Sequence, residues 1–185
     1  FTNQTTGGVV QGSNVDSSSE LGEPLWTDAG AVGKTMWLQI TPVESGVMTV
    51  RTRGSAFDTL LTVYTGTDLR ELKPVAEDDD SGGCYTSELR FNVQQGRPYQ
   101  IQIDGGGDGP KAGWFTLSWN LQITTLRVPE IMRAPLPQVV KPGEDAVFRV
   151  ITSANDESYQ WYFYGPPYDK PVPIRGAVEP ILVIP

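Results

Sequence analysis

Trp114-Phe115-Thr116-Leu117-Ser118-Trp119-Asn120-Leu121-Gln122-Ile123 is the stretch on which the fold turns. Phe115, Leu117, Trp119, Leu121 and Ile123 fall at every second position, with Thr116, Ser118, Asn120 and Gln122 between them. Successive side chains of an extended chain point to opposite faces, so this alternation predicts a long strand with one buried and one solvated face. Working outward, the same period recurs. Leu89, Phe91 and Val93 alternate with Glu88, Arg90 and Asn92, and Tyr99, Ile101 and Ile103 alternate with Gln100 and Gln102. Gln95-Gly96-Arg97-Pro98 between the two runs predicts a hairpin. Thr35–Ile40, Val47–Thr52 and Leu60–Tyr64 read as further strands, and only Asp68–Leu72 offers a turn of helix. Short strands with turn signals at regular spacing predict an all-β fold, a jelly-roll-like β-sandwich over residues 1–127.

A boundary follows Arg127. Val128-Pro129-Glu130 opens a Pro-rich passage through Pro135-Leu136-Pro137, after which Ala146–Ile151 and Tyr159–Tyr164 read as strands of a second, smaller β-domain over residues 128–185. An immunoglobulin-type sandwich needs about 100 residues, and this segment has 58, so it reads as incomplete. The chain opens at Phe1 without a Met and closes on Ile181-Leu182-Val183-Ile184-Pro185, in mid-strand pattern. Both ends read as those of a piece excised or processed from a longer protein, compatible with secretion. The sequon Asn3-Gln4-Thr5 points the same way.

Composition excludes more than it asserts. The 185 residues contain 0 His and 1 Cys, so no Ser-His-Asp or Cys-His catalytic arrangement, His-ligated metal site, internal disulfide or thiolate zinc cluster forms within the chain. With 22 acidic and 14 basic residues the net charge is -8, which disfavours a nucleic-acid partner held through phosphates. No apolar run approaches the roughly 18 residues of a membrane-spanning helix. A carboxylate-only glycosidase would need two carboxyl groups set across a sugar cleft, and no motif places such a pair. The chain therefore reads as a non-enzyme.

The acids are uneven: 15 of the 22, and 9 of the 14 bases, precede Val128. Glu77-Asp78-Asp79-Asp80 places four like charges side by side, which repel unless the loop stays solvated or binds a cation. Ca2+, which takes six to eight oxygen ligands from flexible loops, suits the second case. Asp104-Gly105-Gly106-Gly107-Asp108-Gly109 has the composition of a glycine-aspartate calcium loop but, in a single copy, reads as a hairpin tip. Of the five Trp, Trp119 and Trp161 sit within alternating patterns and read as core. Trp26, beside Pro24 in a loop, and Trp114, out of phase with the Phe115 face, are the candidate platforms for stacking on a sugar. Cys84, after Gly82-Gly83, reads as an accessible thiol or an intermolecular bridge. Tyr159, Tyr162, Tyr164 and Tyr168 with Pro166-Pro167 form an aromatic-rich surface, either a subunit contact or the edge of the unfinished sandwich.

Both halves resemble known families. Gly12-Ser13-Asn14-Val15, Glu20-Leu21-Gly22-Glu23-Pro24, Lys34-Thr35-Met36-Trp37, Ser45–Val50, Gly54–Gly66 around Phe57-Asp58-Thr59, Asp78-Asp79-Asp80 and Tyr99–Gly105 follow in the order of the bacterial pre-peptidase C-terminal (PPC) type of domain, which the first half resembles over Phe1 to Ile123. That resemblance implies a secreted or cell-surface β-sandwich with calcium, and Glu23, Asp58, Asp78, Asp79 and Asp80 as ligands. The second half is similar to bacterial immunoglobulin-like domains through Val140-Lys141-Pro142-Gly143-Glu144, Ala146–Val150 and Tyr159-Gln160-Trp161-Tyr162, with Trp161 at the core Trp of the third strand. It departs in lacking the antibody cysteines and an Asp-x-Gly-x-Tyr segment. Two functions follow as expectations. One is a non-catalytic accessory module for adhesion or for binding an extracellular polysaccharide or protein polymer; the alternative is a structural subunit joining copies of itself by strand complementation.

Overall fold

The computed structural model describes residues 2–4, 6–24, 31, 33–106, 111–153, 158–166 and 168–185. Strands take 47% of the chain and helix 2%, so the protein is all-β. It divides into two compact units, 1–128 and 129–185.

Among the described residues the first unit has nine strands: β1 (Thr2–Gln4), β2 (Gly7–Ser13), β3 (Met36–Thr41), β4 (Gly46–Arg51), β5 (Thr59–Thr65), β6 (Lys73–Asp78), β7 (Glu88–Val93), β8 (Tyr99–Gly105) and β9 (Trp114–Ile123). One sheet runs β1-β3-β8-β5-β6 and the other β2-β9-β4-β7. From β2 to β9 each strand crosses to the opposite sheet from its predecessor, except at β5–β6, and this is the winding of a jelly roll. Leu117, Met48, Val50, Phe91 and Trp119 from one sheet meet Ile40, Leu61, Val63, Ile101 and Ile103 from the other in a single buried cluster. The alternation read in Trp114–Ile123 holds as far as Leu121, with Phe115, Leu117, Trp119 and Leu121 buried and Trp114 and Asn120 exposed; Ile123, expected on the buried face, is exposed at the end of the strand.

The expected hairpin at Gln95–Pro98 does not form. β7 pairs with β4, and β8 with β3 and β5, so the turn carries the chain from one sheet to the other. It is anchored to the preceding crossover, Gly96 N–H donating to Pro42 O at 2.9 Å and Gln95 N–H to Ser45 Oγ at 2.9 Å. Alternation could not separate the two outcomes, because a strand with one buried face has the same period whether its successor pairs beside it or packs across the core.

In the second unit, β10 (Ile131–Arg133) pairs with β12 (Ile151–Thr152), β11 (Ala146–Arg149) with β15 (Ile181–Ile184), and β13 (Tyr162–Gly165) with β14 (Tyr168–Pro173). Trp161 is half-buried, and its indole N–H donates to Glu179 O at 2.8 Å. Among the described residues of this unit no side chain is fully buried, and Ile131, Met132, Leu136, Tyr162 and Tyr164 are exposed. Such a load of exposed apolar surface is more than a monomeric soluble domain usually carries.

Candidate functional site: an acidic cluster and an aromatic cleft

β5 and β6 pair antiparallel as far as Leu61 opposite Asp78. Beyond that pair lie Asp58, just before the start of β5, and Asp79-Asp80, just after the end of β6, and the topology brings them to the same end of the ladder. One carboxylate oxygen from each of Asp58, Asp79 and Asp80 lies within 4.8 Å of the others. Asp58 is 1% exposed, Asp79 half-buried and Asp80 exposed. Three like charges so close, one of them removed from water, repel in a medium that screens poorly. A divalent cation is the chemistry that reverses that sign, and hard carboxylate oxygens are what Ca2+ selects.

The loop behind the cluster is held tightly. Gly83 N–H donates to Asp80 O at 2.9 Å, and Thr59 N–H donates to Tyr85 O at 3.1 Å. Cys84 and Tyr85 take φ of 54° and 63°, the left-handed region that non-glycine residues seldom occupy. Below it, Thr52 Oγ1, Thr59 Oγ1 and Ser87 Oγ form a buried hydroxyl chain, with contacts of 2.6 Å and 2.9 Å. The cluster thus rests on a rigid base. Cys84 is exposed on this loop with its thiol free.

The remaining expected ligands lie outside the cluster. Asp78 Oδ2 accepts from Ser81 N at 3.1 Å and Glu88 N at 2.8 Å, tying the two ends of the loop. Glu23 Oε2 accepts from Thr35 Oγ1 at 2.6 Å on a different part of the surface. Asp104, first of the glycine-aspartate stretch, is 4% exposed within β8, its carboxylate accepting from three backbone N–H groups. Residues 107–109 of that stretch lie outside the described residues, as does the candidate platform Trp26. Trp114 stands exposed on the outward face of β9.

A cleft of about 320 Å3 lies on the outward face of the five-stranded sheet. Trp37 and Gln39 of β3 and Gln100 of β8 form its floor, the Glu20–Glu23 loop one wall, and Asp68 with the adjoining 3-10 turn (Leu69–Glu71) the other. The Tyr64 ring packs against Trp37, centroids 5.7 Å apart and tilted by 38°. Tyr64 donates its hydroxyl hydrogen to Gln102 Oε1 at 3.0 Å, and Gln102 Nε2 donates to Pro24 O at 2.9 Å, which fixes the Glu20–Pro24 loop over the sheet. Burial pushes the Tyr64 hydroxyl above its ordinary pKa, with Glu77 and Glu23 adding to the rise, so it stays protonated as a donor. In the sequence Trp37 falls inside the strand Thr35–Ile40 and is one of five Trp able to stack on a sugar, behind Trp26 and Trp114. The available signal was its phase, opposite to Leu38 and Ile40.

No protein-family model matches the chain, and no curated protein matches it.

Proposed function

We propose that the chain is a non-catalytic accessory module of a secreted or cell-surface bacterial protein, PPC-like in its first unit, stabilised by Ca2+ and serving adhesion to or binding of an extracellular polymer. The convergence of Asp58, Asp79 and Asp80 carries this reading, since three carboxylate oxygens within 4.8 Å of one another are the hard-oxygen donor set that a divalent cation takes. The absence of His from the sequence supports a non-catalytic role, as it removes the commonest general base. A cation that binds only the folded state raises the melting point. At calcium a hundredfold above its Kd the expected rise is ~5–10 °C, measured by thermal unfolding in chelator and then in excess Ca2+. Asp80→Asn is expected to abolish most of the rise, because it removes one of the three converging carboxylates. Equal melting points with chelator and with calcium would sink the ion site.

A second reading, assembly of copies of the chain by strand addition, is favoured by the exposed apolar side chains and open two-stranded sheets of the second unit. It requires self-association, and a monomeric mass by light scattering at high protein concentration rules it out.

A further inference from the structure

We infer that the cleft over Trp37 is the polymer-binding site of the first unit and that its ligand is a saccharide carrying amino groups, of the glucosamine type; this rests on the polymer-binding reading above. Three observations converge. First, Trp37 gives the floor an indole, with the Tyr64 ring packed against it from the same face of the sheet, and a flat aromatic surface suits the C–H face of a sugar ring. Second, the two floor amides are half-committed in a defined way. Gln100 Nε2 donates both to Gln39 Oε1 and to Gly66 O, each at 3.2 Å. The Gln39 NH2 group is left to donate and Gln100 Oε1 to accept, the donor-plus-acceptor pair that a ring hydroxyl, itself donor and acceptor, satisfies.

Third, the walls hold Glu20, Glu23 and Asp68, and among the described residues neither Lys nor Arg lines the cleft. Carboxylates only accept hydrogen bonds, so the ligand must bring donors and no negative charge. Uronic, sulfated and phosphorylated sugars are thereby rejected. A neutral hexose would satisfy the amides but leave the acidic walls without a counter-charge, and an ammonium substituent supplies it. An aliphatic amine such as a lysine side chain supplies the charge but offers neither a ring face for the indole nor hydroxyls for the amides.

The test is isothermal titration of the 185-residue chain with a glucosamine tetramer, beside its N-acetylated counterpart, a hyaluronate oligomer and tetralysine. The glucosamine tetramer is expected to bind, more weakly as salt rises, and the hyaluronate oligomer not to bind. Trp37→Ala is expected to weaken binding about tenfold or more by removing the stacking surface. Gln39→Ala is expected to do so without disturbing the core, which keeps the test open if Trp37→Ala fails to fold. Glu20→Gln is expected to reduce the preference for glucosamine over its N-acetylated form. Tetralysine binding as tightly as the sugar, or binding to the sugar unchanged in both Trp37→Ala and Gln39→Ala, would overturn the assignment. If the chain binds a different polymer and Trp37→Ala and Gln39→Ala leave that binding intact, the cleft is wrong and polymer binding stands. If it binds none of a wider glycan and collagen panel, both fall.

Discussion

Trp119→Ala is expected to destabilise the first unit by about 3–5 kcal/mol, read as a lower urea midpoint at unchanged m. Trp119 is 5% exposed at the centre of β9 and lies directly opposite Gly8 of β2. A Cβ built on Gly8 would meet the Trp119 ring at 2.4 Å, and one on Gly12 the Phe115 ring at 2.7 Å. The two inward-facing glycines of β2 are therefore space for the two rings of β9, and sheet edge and core are packed as one piece. The indole N–H of Trp119 is buried without a hydrogen-bond partner, which subtracts from its value. Trp119→Phe removes that orphan while keeping an aromatic ring, and is expected to cost only about 1–2 kcal/mol. The packing account makes a sharper claim about coupling. Gly8→Val is expected to be severely destabilising alone, because a ring enclosed by the core has nowhere to move, and much milder in the Trp119→Ala background, where the cavity receives the new side chain. Equal costs of Gly8→Val in both backgrounds would refute it.

This pairing also marks how far the sequence could be read. Strands such as β9, β7 and β8 announce themselves because a half-buried strand repeats every two residues. β2 does not: Gly7, Gly8 and Gly12 look like turn residues until their partners across the ladder are known. β6 is hidden for another reason, as an edge strand with Pro74 and exposed side chains that has no apolar face to repeat. The partition of strands between two sheets is a property of long-range pairing and left no local trace at Gln95–Pro98. The site divides along the same line. Asp58 and the Asp78–Asp80 run were legible as acids in a jelly-roll context. That Asp79 and Asp80 join Asp58 while Asp78 turns to bind backbone depends on the register of β5 against β6. Trp37 becomes a cleft floor only once loops from Glu20 and Asp68 are folded beside it.

Asp104→Asn is expected to cost about 2–4 kcal/mol and, more diagnostically, to loosen one segment. Asp104 Oδ2 accepts from Gly33 N at 2.8 Å, while Oδ1 accepts from Lys34 N at 2.8 Å and Gly105 N at 2.7 Å. Three donors around a carboxylate at 4% exposure leave no face for an amide. Whichever way Asn is turned, its NH2 group points a donor at a donor, so either the Gly33 N–H or the Lys34 and Gly105 N–H groups lose their acceptor, and what remains loses the strengthening of a full negative charge. Lys34 is also gripped from the far side, its carbonyl accepting from Asn14 Nδ2 at 3.2 Å. Asn14 in turn accepts from Gly113 N at 2.8 Å through Oδ1, next to the start of β9. Asp104 and Asn14 thus clamp the lead-in to β3, the strand that carries Trp37 and Gln39. In Asp104→Asn the amides of Gly33 and Lys34 are expected to exchange with solvent much faster than those of β4 and β9, whose opening still requires the sandwich to unfold. A variant whose Gly33 and Lys34 amides stay as protected as before would show that the clamp lies elsewhere. Since the cleft floor follows directly along this strand, loss of the clamp is also expected to weaken whatever binds over Trp37 while leaving the calcium-dependent rise in melting point in place.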